Sequence, residues 1–171
     1  MSPDSDSPTQ HPTDGEALKP TPFTNPIQFL AFGFGSGLSP KGPGTAGTLA
    51  AIPLYWFMAD LNLLAYSAVV LLAFIVGVYL CGKASEQLGV HDHGGIVWDE
   101  FVGFWITMWA VPADITWIIF GFVVFRVFDI AKPWPISGLD KKVHGGFGIM
   151  IDDVVAGLFA CGTLHLALWF T

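Results

Sequence analysis

The chain has 171 residues, of which 53% are hydrophobic and 15% aromatic, while only 12% are charged. A water-soluble domain carries roughly 25% charged residues, so this composition excludes an ordinary soluble fold and calls for lipid or a very large interface. The net charge of -7 disfavours a nucleic-acid partner, although Asp4, Asp6, Asp14 and Glu16 contribute to it from a terminal tail.

That tail, residues 1–22 (MSPDSDSPTQHPTDGEALKPTP), is rich in Ser, Pro, Thr and Asp and has no apolar periodicity. It is predicted to be disordered, and it lacks the basic start and apolar core of a signal peptide. Residues 23–171 then form a single domain by length. Its apolar stretches are 46–59 (AGTLAAIPLYWFMA, with Pro53 inside), 61–81, 96–111, 115–131 and 154–170. They are too long and unalternating for barrel strands and read as helices. The predicted fold is all-α, a compact helical membrane domain with about five membrane-associated helices.

Lys41 precedes the first stretch, Lys83 follows the second, and Lys132, Lys141 and Lys142 lie between the fourth and fifth. The connections DLN (60–62) and PADI (112–115) contain no lysine or arginine. If every stretch crosses, all these lysines fall on one side, which the positive-inside rule makes cytoplasmic.

The same topology gathers the acids. Asp99 and Glu100 begin the third helix, Asp129 ends the fourth, and Asp152 and Asp153 begin the fifth, all at the cytoplasmic ends. Adjacent carboxylates repel each other and resist leaving water. A helix start offsets part of that cost, and a divalent cation would offset the rest. Carboxylates from three helix ends, with water, suit the oxygen coordination of Mg2+.

Beside them runs FGSGLSPKGPGTAGT (34–48), a Gly/Pro loop opening a helix, with Lys41, Thr45 and Thr48 as donors for an anion. It lacks the GxxxxGK[ST] pattern of a P-loop. Carboxylates for metal beside lysines and a Gly-rich helix start suggest phosphate chemistry at a membrane surface. HDHGG (91–95) offers two histidines without a third nitrogen or sulfur ligand, a weak zinc pattern. Arg126 lies one turn before Asp129, placed either to orient it or to contact phosphate. Asp99 and Gly103, like Asp153 and Gly157, are spaced i, i+4, so a glycine beneath each acid lets a neighbouring helix approach. Cys81 and Cys161 sit in apolar runs and read as packing residues.

GFGSGLSPKGPGTAGTLAAIP, HDHGGIVWDEFVGFWI, FRVFDIAKPWPI and GGFGIMIDDVVAG together closely resemble the bacterial phosphatidylglycerophosphatase A family, from Asn25 to Phe170. The resemblance implies an all-helical, Mg2+-dependent enzyme of the bacterial inner membrane that converts phosphatidylglycerophosphate to phosphatidylglycerol. It places the family's functional acids on Asp99, Glu100, Asp129, Asp152 and Asp153, with Lys132 beside them. Lys41 stands where the family often has an uncharged residue.

The expected reaction is hydrolysis of a lipid phosphate monoester. Asp99, Glu100, Asp129, Asp152 and Asp153 hold Mg2+, and Lys41, Thr45, Thr48 and Lys132 contact the phosphate. Asp99, Glu100, Asp129, Lys132 and Asp153 are the expected catalytic set. Water activated at the cation is the expected nucleophile, with an aspartate as the alternative. The DxDx[TV] signature of haloacid-type phosphatases is absent. So is the DGxxAR…GxxxD…D signature of CDP-alcohol phosphotransferases. A transporter or scaffold would carry its acids at mid-helix. The expected partners are a phospholipid substrate and the bilayer.

Overall fold

The computed structural model describes residues 18–90, 93–134, 136 and 143–171. His91, Lys141 and Lys142 lie outside these, as do residues 1–17 of the tail. The described residues contain helices and no strand. In chain order they are α1 (Pro26–Ala31), a 3-10 segment (Gly33–Leu38), α2 (Pro43–Met58), α3 (Leu63–Leu88), α4 (Trp98–Thr107), α5 (Ile115–Ala131) and α6 (Gly145–Trp169).

Local chemistry sets the ends. The Asn25, Asn62 and Asp114 side chains accept from the first backbone N–H groups of α1, α3 and α5, which satisfies donors the helix itself cannot. Pro43 occupies the first turn of α2, where its missing N–H costs nothing. Gly89 ends α3 in the left-handed region, a conformation in which glycine avoids the Cβ clash.

The stretch at 96–111 folds differently from a crossing helix. Its helical part, α4, has 10 residues and rises about 15 Å, half of a roughly 30 Å hydrocarbon core. It is buried around most of its circumference, touching α2, α3, α5 and α6. A helix apolar on all sides has no solvent face to offer, and α4 accordingly becomes the axis of the bundle. Phe101, Phe104 and Trp105 pack with Ala51, Tyr55 and Phe125 on one side, while Trp98 and Val102 pack with Leu80, Cys81 and Met150 on another. The Trp98 and Trp105 indoles donate to the Ala73 and Ala51 carbonyls, and the Tyr66 hydroxyl to the Trp105 carbonyl. These bonds fix α4 against α2 and α3 without leaving a buried donor unmet.

The last helix begins at Gly145, nine residues before the apolar run that marks it in the sequence. Glycine weakens a helix in isolation, so GGFGIM reads as a loop. Here the missing side chains permit contact, since a Cβ on Gly146 would lie 1.9 Å from the Val78 carbonyl oxygen. Asp152 and Asp153 therefore sit two turns inside α6, and the expectation that they begin it is corrected.

Residues 18–22, assigned to the tail by composition, bond to the domain: Leu18 N donates to Leu88 O and Thr21 N to Gln28 Oε1. The start of α2 meets Glu100, Gly82 of α3 abuts Gly146, and Lys132 reaches Asp152. Lys41, Lys83 and Lys132 thus share one end of the bundle with the acids. At the other end Trp109 donates to Ser67. Among the described helices, α3 and α6 are long and apolar enough to cross a membrane. Leu64, Leu72 and Ile75 of α3 and Val127 and Ile130 of α5 all point outward, exposed.

Candidate active site

Asp99 and Glu100 occupy the first turn of α4. The positive end of that helix favours them, and no side chain caps it. The acid from α6 joins them through a close backbone contact at two glycines, Gly103 and Gly157. A Cβ on Gly157 would fall 2.4 Å from the Gly103 carbonyl oxygen, and one on Gly103 would fall 2.9 Å from the Asp153 carbonyl oxygen. Two helices that close bring their acids together. One carboxylate oxygen each from Asp99, Glu100 and Asp153 lies within 4.8 Å of the others.

Two cations flank the cluster. Arg126 Nη1 pairs with Asp129 Oδ2 at 2.5 Å and lies 3.7 Å from Glu100 Oε1. The intrahelical pair was legible from the i, i+3 spacing; the reach across to Glu100 was not. Lys132 Nζ donates to Asp152 Oδ2 at 2.7 Å. Asp129 and Asp152 are thus each held by a cation at the edge of the cluster, outside the group of three. Lys132 itself departs from expectation. A residue before proline favours extended backbone, yet Lys132 caps α5 in the left-handed region, φ 39°, with its N–H on the Phe128 carbonyl. Ending the helix there wins over the preference, and it turns the side chain back toward α6.

The Gly/Pro loop delivers something other than its side chains. A Cβ on Gly44 would lie 2.2 Å from Glu100 Oε1 and 3.1 Å from both Arg126 Nη atoms. The bare start of α2 therefore rests directly on the acids. Its N-terminus carries no side-chain cap, so partial positive charge points at them. Gly44 was missed by a reading that looked for donors, although Gly between Pro43 and Thr45 at a helix start was the available signal. Thr45 is half-buried and Lys41 exposed on this loop. Thr48 is fully buried, and its hydroxyl donates to Gly44 O within its own helix. It presents no face to a phosphate, which corrects its assignment as a donor. His93 Nδ1 accepts from Gly95 N and its ring packs on Phe32, the role of a turn residue.

The cluster fits a metal ion. Glu100 Oε2 and Asp153 Oδ2 are buried and make no hydrogen bond among the described residues. Burying an ionised carboxylate without a partner costs several kcal/mol per ion, and a cation bound by Asp99, Glu100 and Asp153 would offset that cost.

A family model, phosphatidylglycerophosphatase A, matches residues 29–168. Phosphatidylglycerophosphatase A of Escherichia coli (strain K12) is 56% identical over 144 residues, covering 84% of this chain and 84% of that protein. Its namesake in Haemophilus influenzae is 47% identical over 153 residues, covering 86% and 92%. A Bacteroides thetaiotaomicron protein with the provisional name phosphatidylinositol-3-phosphatase is 39% identical over 148 residues, covering 82% and 92%. No solved structure matches the chain.

Proposed function

This chain belongs to the phosphatidylglycerophosphatase A family, and on that premise we propose that it is a lipid phosphatase hydrolysing phosphatidylglycerophosphate to phosphatidylglycerol and inorganic phosphate. The observation that carries the reading is the convergence of Asp99, Glu100 and Asp153 within 4.8 Å, beside Lys132.

The cation this reading assigns is Mg2+, because every donor in the cluster is a carboxylate oxygen. Asp99, Glu100 and Asp153 would hold it. When bound, it supplies positive charge against the phosphate and acidifies water. The chain's own residues do the rest. Lys132 gives a second positive charge whose position Asp152 fixes. Arg126 restrains Asp129 and Glu100, and Asp129 keeps one carboxylate at the rim of the cluster as an acceptor for a proton. The uncapped start of α2 favours a negative headgroup over Gly44. Buried Phe101, Val102 and Phe125 shield the acids' inner side from water.

The same reading places the protein in the bacterial inner membrane, multi-pass, with the acid end toward the cytoplasm. Lys41, Lys83 and Lys132 at that end support the orientation. The phospholipid substrate comes from the bilayer, and nucleic acid has no part.

The test is phosphate release by the purified full chain in detergent, with phosphatidylglycerophosphate and phosphatidylinositol 3-phosphate side by side. Mg2+ should support turnover of the first, a chelator should abolish it, and added Mg2+ should restore it. Zinc should not substitute. Full turnover in excess chelator would sink the metal assignment, and a preference for the inositol lipid would move the substrate.

A further inference from the structure

One hollow on the surface touches the acid site without belonging to it. Phe122, Val123, Arg126, Val127, Ile130 and Ala131 line a volume of about 430 Å3 along the outer face of α5. Val123, Val127 and Ile130 are at least half exposed there, on the side of the helix away from buried Ile118, Gly121 and Phe125.

Three features of this hollow point to the same occupant. Its lining is apolar except for Arg126, which on its other side lies 3.7 Å from Glu100 and pairs with Asp129. Its upper end, Ala131, adjoins Lys132, which holds Asp152. The strip from Phe122 to Ala131 is about 14 Å long, close to half of a roughly 30 Å hydrocarbon core and so to one leaflet. A molecule with its phosphate at the acids and a hydrocarbon chain in the same leaflet would lay that chain along this strip.

Resting on the phosphatase reading, we propose that the outer face of α5 is the acyl-chain subsite, and that the lipid enters the site sideways from the bilayer past Arg126. Apolar contact there contributes to substrate binding in proportion to the area covered. A bulky residue at Val127 fills the strip and removes that contribution.

The experiment compares phosphatidylglycerophosphate carrying two long acyl chains with its dihexanoyl form, in mixed micelles of the full chain. The readout is the ratio of KM for the long-chain lipid to KM for the short-chain lipid. Val127→Trp should raise the ratio about tenfold, the loss of roughly two methylene contacts. Val123→Trp provides a second variant should the first fold poorly. Leu72→Trp, on the exposed face of α3, should leave the ratio within about twofold. An unchanged ratio in both α5 variants overturns the subsite, and so does an equal rise in Leu72→Trp, which would mean that any lipid-facing bulk acts alike. A change of oligomeric mass in Val127→Trp with an unchanged ratio assigns the face to a second copy and also overturns it. If the unaltered chain hydrolyses neither lipid, the phosphatase reading itself fails, an outcome distinct from a fixed ratio.

Discussion

Gly157 lies under Gly103 so closely that a methyl group on it would sit 2.4 Å from the Gly103 carbonyl oxygen. This contact sets how far Asp153 stands from Asp99 and Glu100, since each acid is one helical turn from its glycine. Gly157→Ala should therefore force α4 and α6 apart. Overpacking of this kind costs about 1–3 kcal/mol, and the altered spacing should lower turnover more than tenfold while the protein still folds. Gly162→Ala is the control, because a Cβ there meets nothing within 4 Å. Phosphate release and thermal unfolding, measured on both, check the prediction; equal behaviour would separate the glycine contact from the site.

Asp153→Asn keeps the size of the side chain and removes the charge that a cation needs. Turnover should fall about 10²-fold, the scale of losing a major electrostatic element, with expression near normal. Glu100→Gln should behave alike, and both should raise the Mg2+ concentration needed for half-maximal rate. Unaltered rates in a well-folded Asp153→Asn protein would remove that residue from the site.

Lys132 and Lys83 both put a cation at the acid end, but only Lys132 reaches an acid of the site. Lys83 pairs with Glu86 on an exposed face, an arrangement worth little. Lys132→Ala should insert normally and lose most activity, while Lys83→Ala should lose little. Similar rates for the two would send the search for the phosphate contact to Thr45.

Orientation can be read chemically. In a background without Cys81 and Cys161, a cysteine at Lys83 should be shielded from an impermeant thiol reagent in intact cells. Cysteines at Asp60 and Ala113 should react. Labelling of the Lys83 position from outside would reverse the topology.

Much of the site was legible because its chemistry is local. Two adjacent acids in a greasy run, a glycine one turn below each acid, and an Arg one turn from Asp129 all follow from spacing along a single helix. What escaped depends on partners. The start of α6 at Gly145 exists because Gly146 fits against Val78, which intrinsic propensity cannot register. Thr48 reads as a donor until burial turns its hydroxyl onto Gly44. Lys132 adopts a conformation that local preference disfavours because α5 has to end there. The brevity of α4 was hidden for a related reason: the apolar run continues past Thr107 through Met108, Trp109 and Val111, although the helix stops and the backbone closes tight turns, with Trp109 N on Ile106 O and Val111 N on Met108 O.

That brevity bears on what holds the acid-bearing segment in place. A helix of 10 residues is too short for lipid to hold, because its last carbonyls would face hydrocarbon without partners. In the folded bundle those carbonyls are met: Met108 N donates to Phe104 O, the Tyr66 hydroxyl of α3 to Trp105 O, and Trp109 N to Ile106 O. α6 lies along the same helix, with Gly157 against Gly103. The segment bearing Asp99 and Glu100 is therefore held by its neighbouring helices rather than by its own length, and the acid site depends on α3 and α6 standing in place around α4.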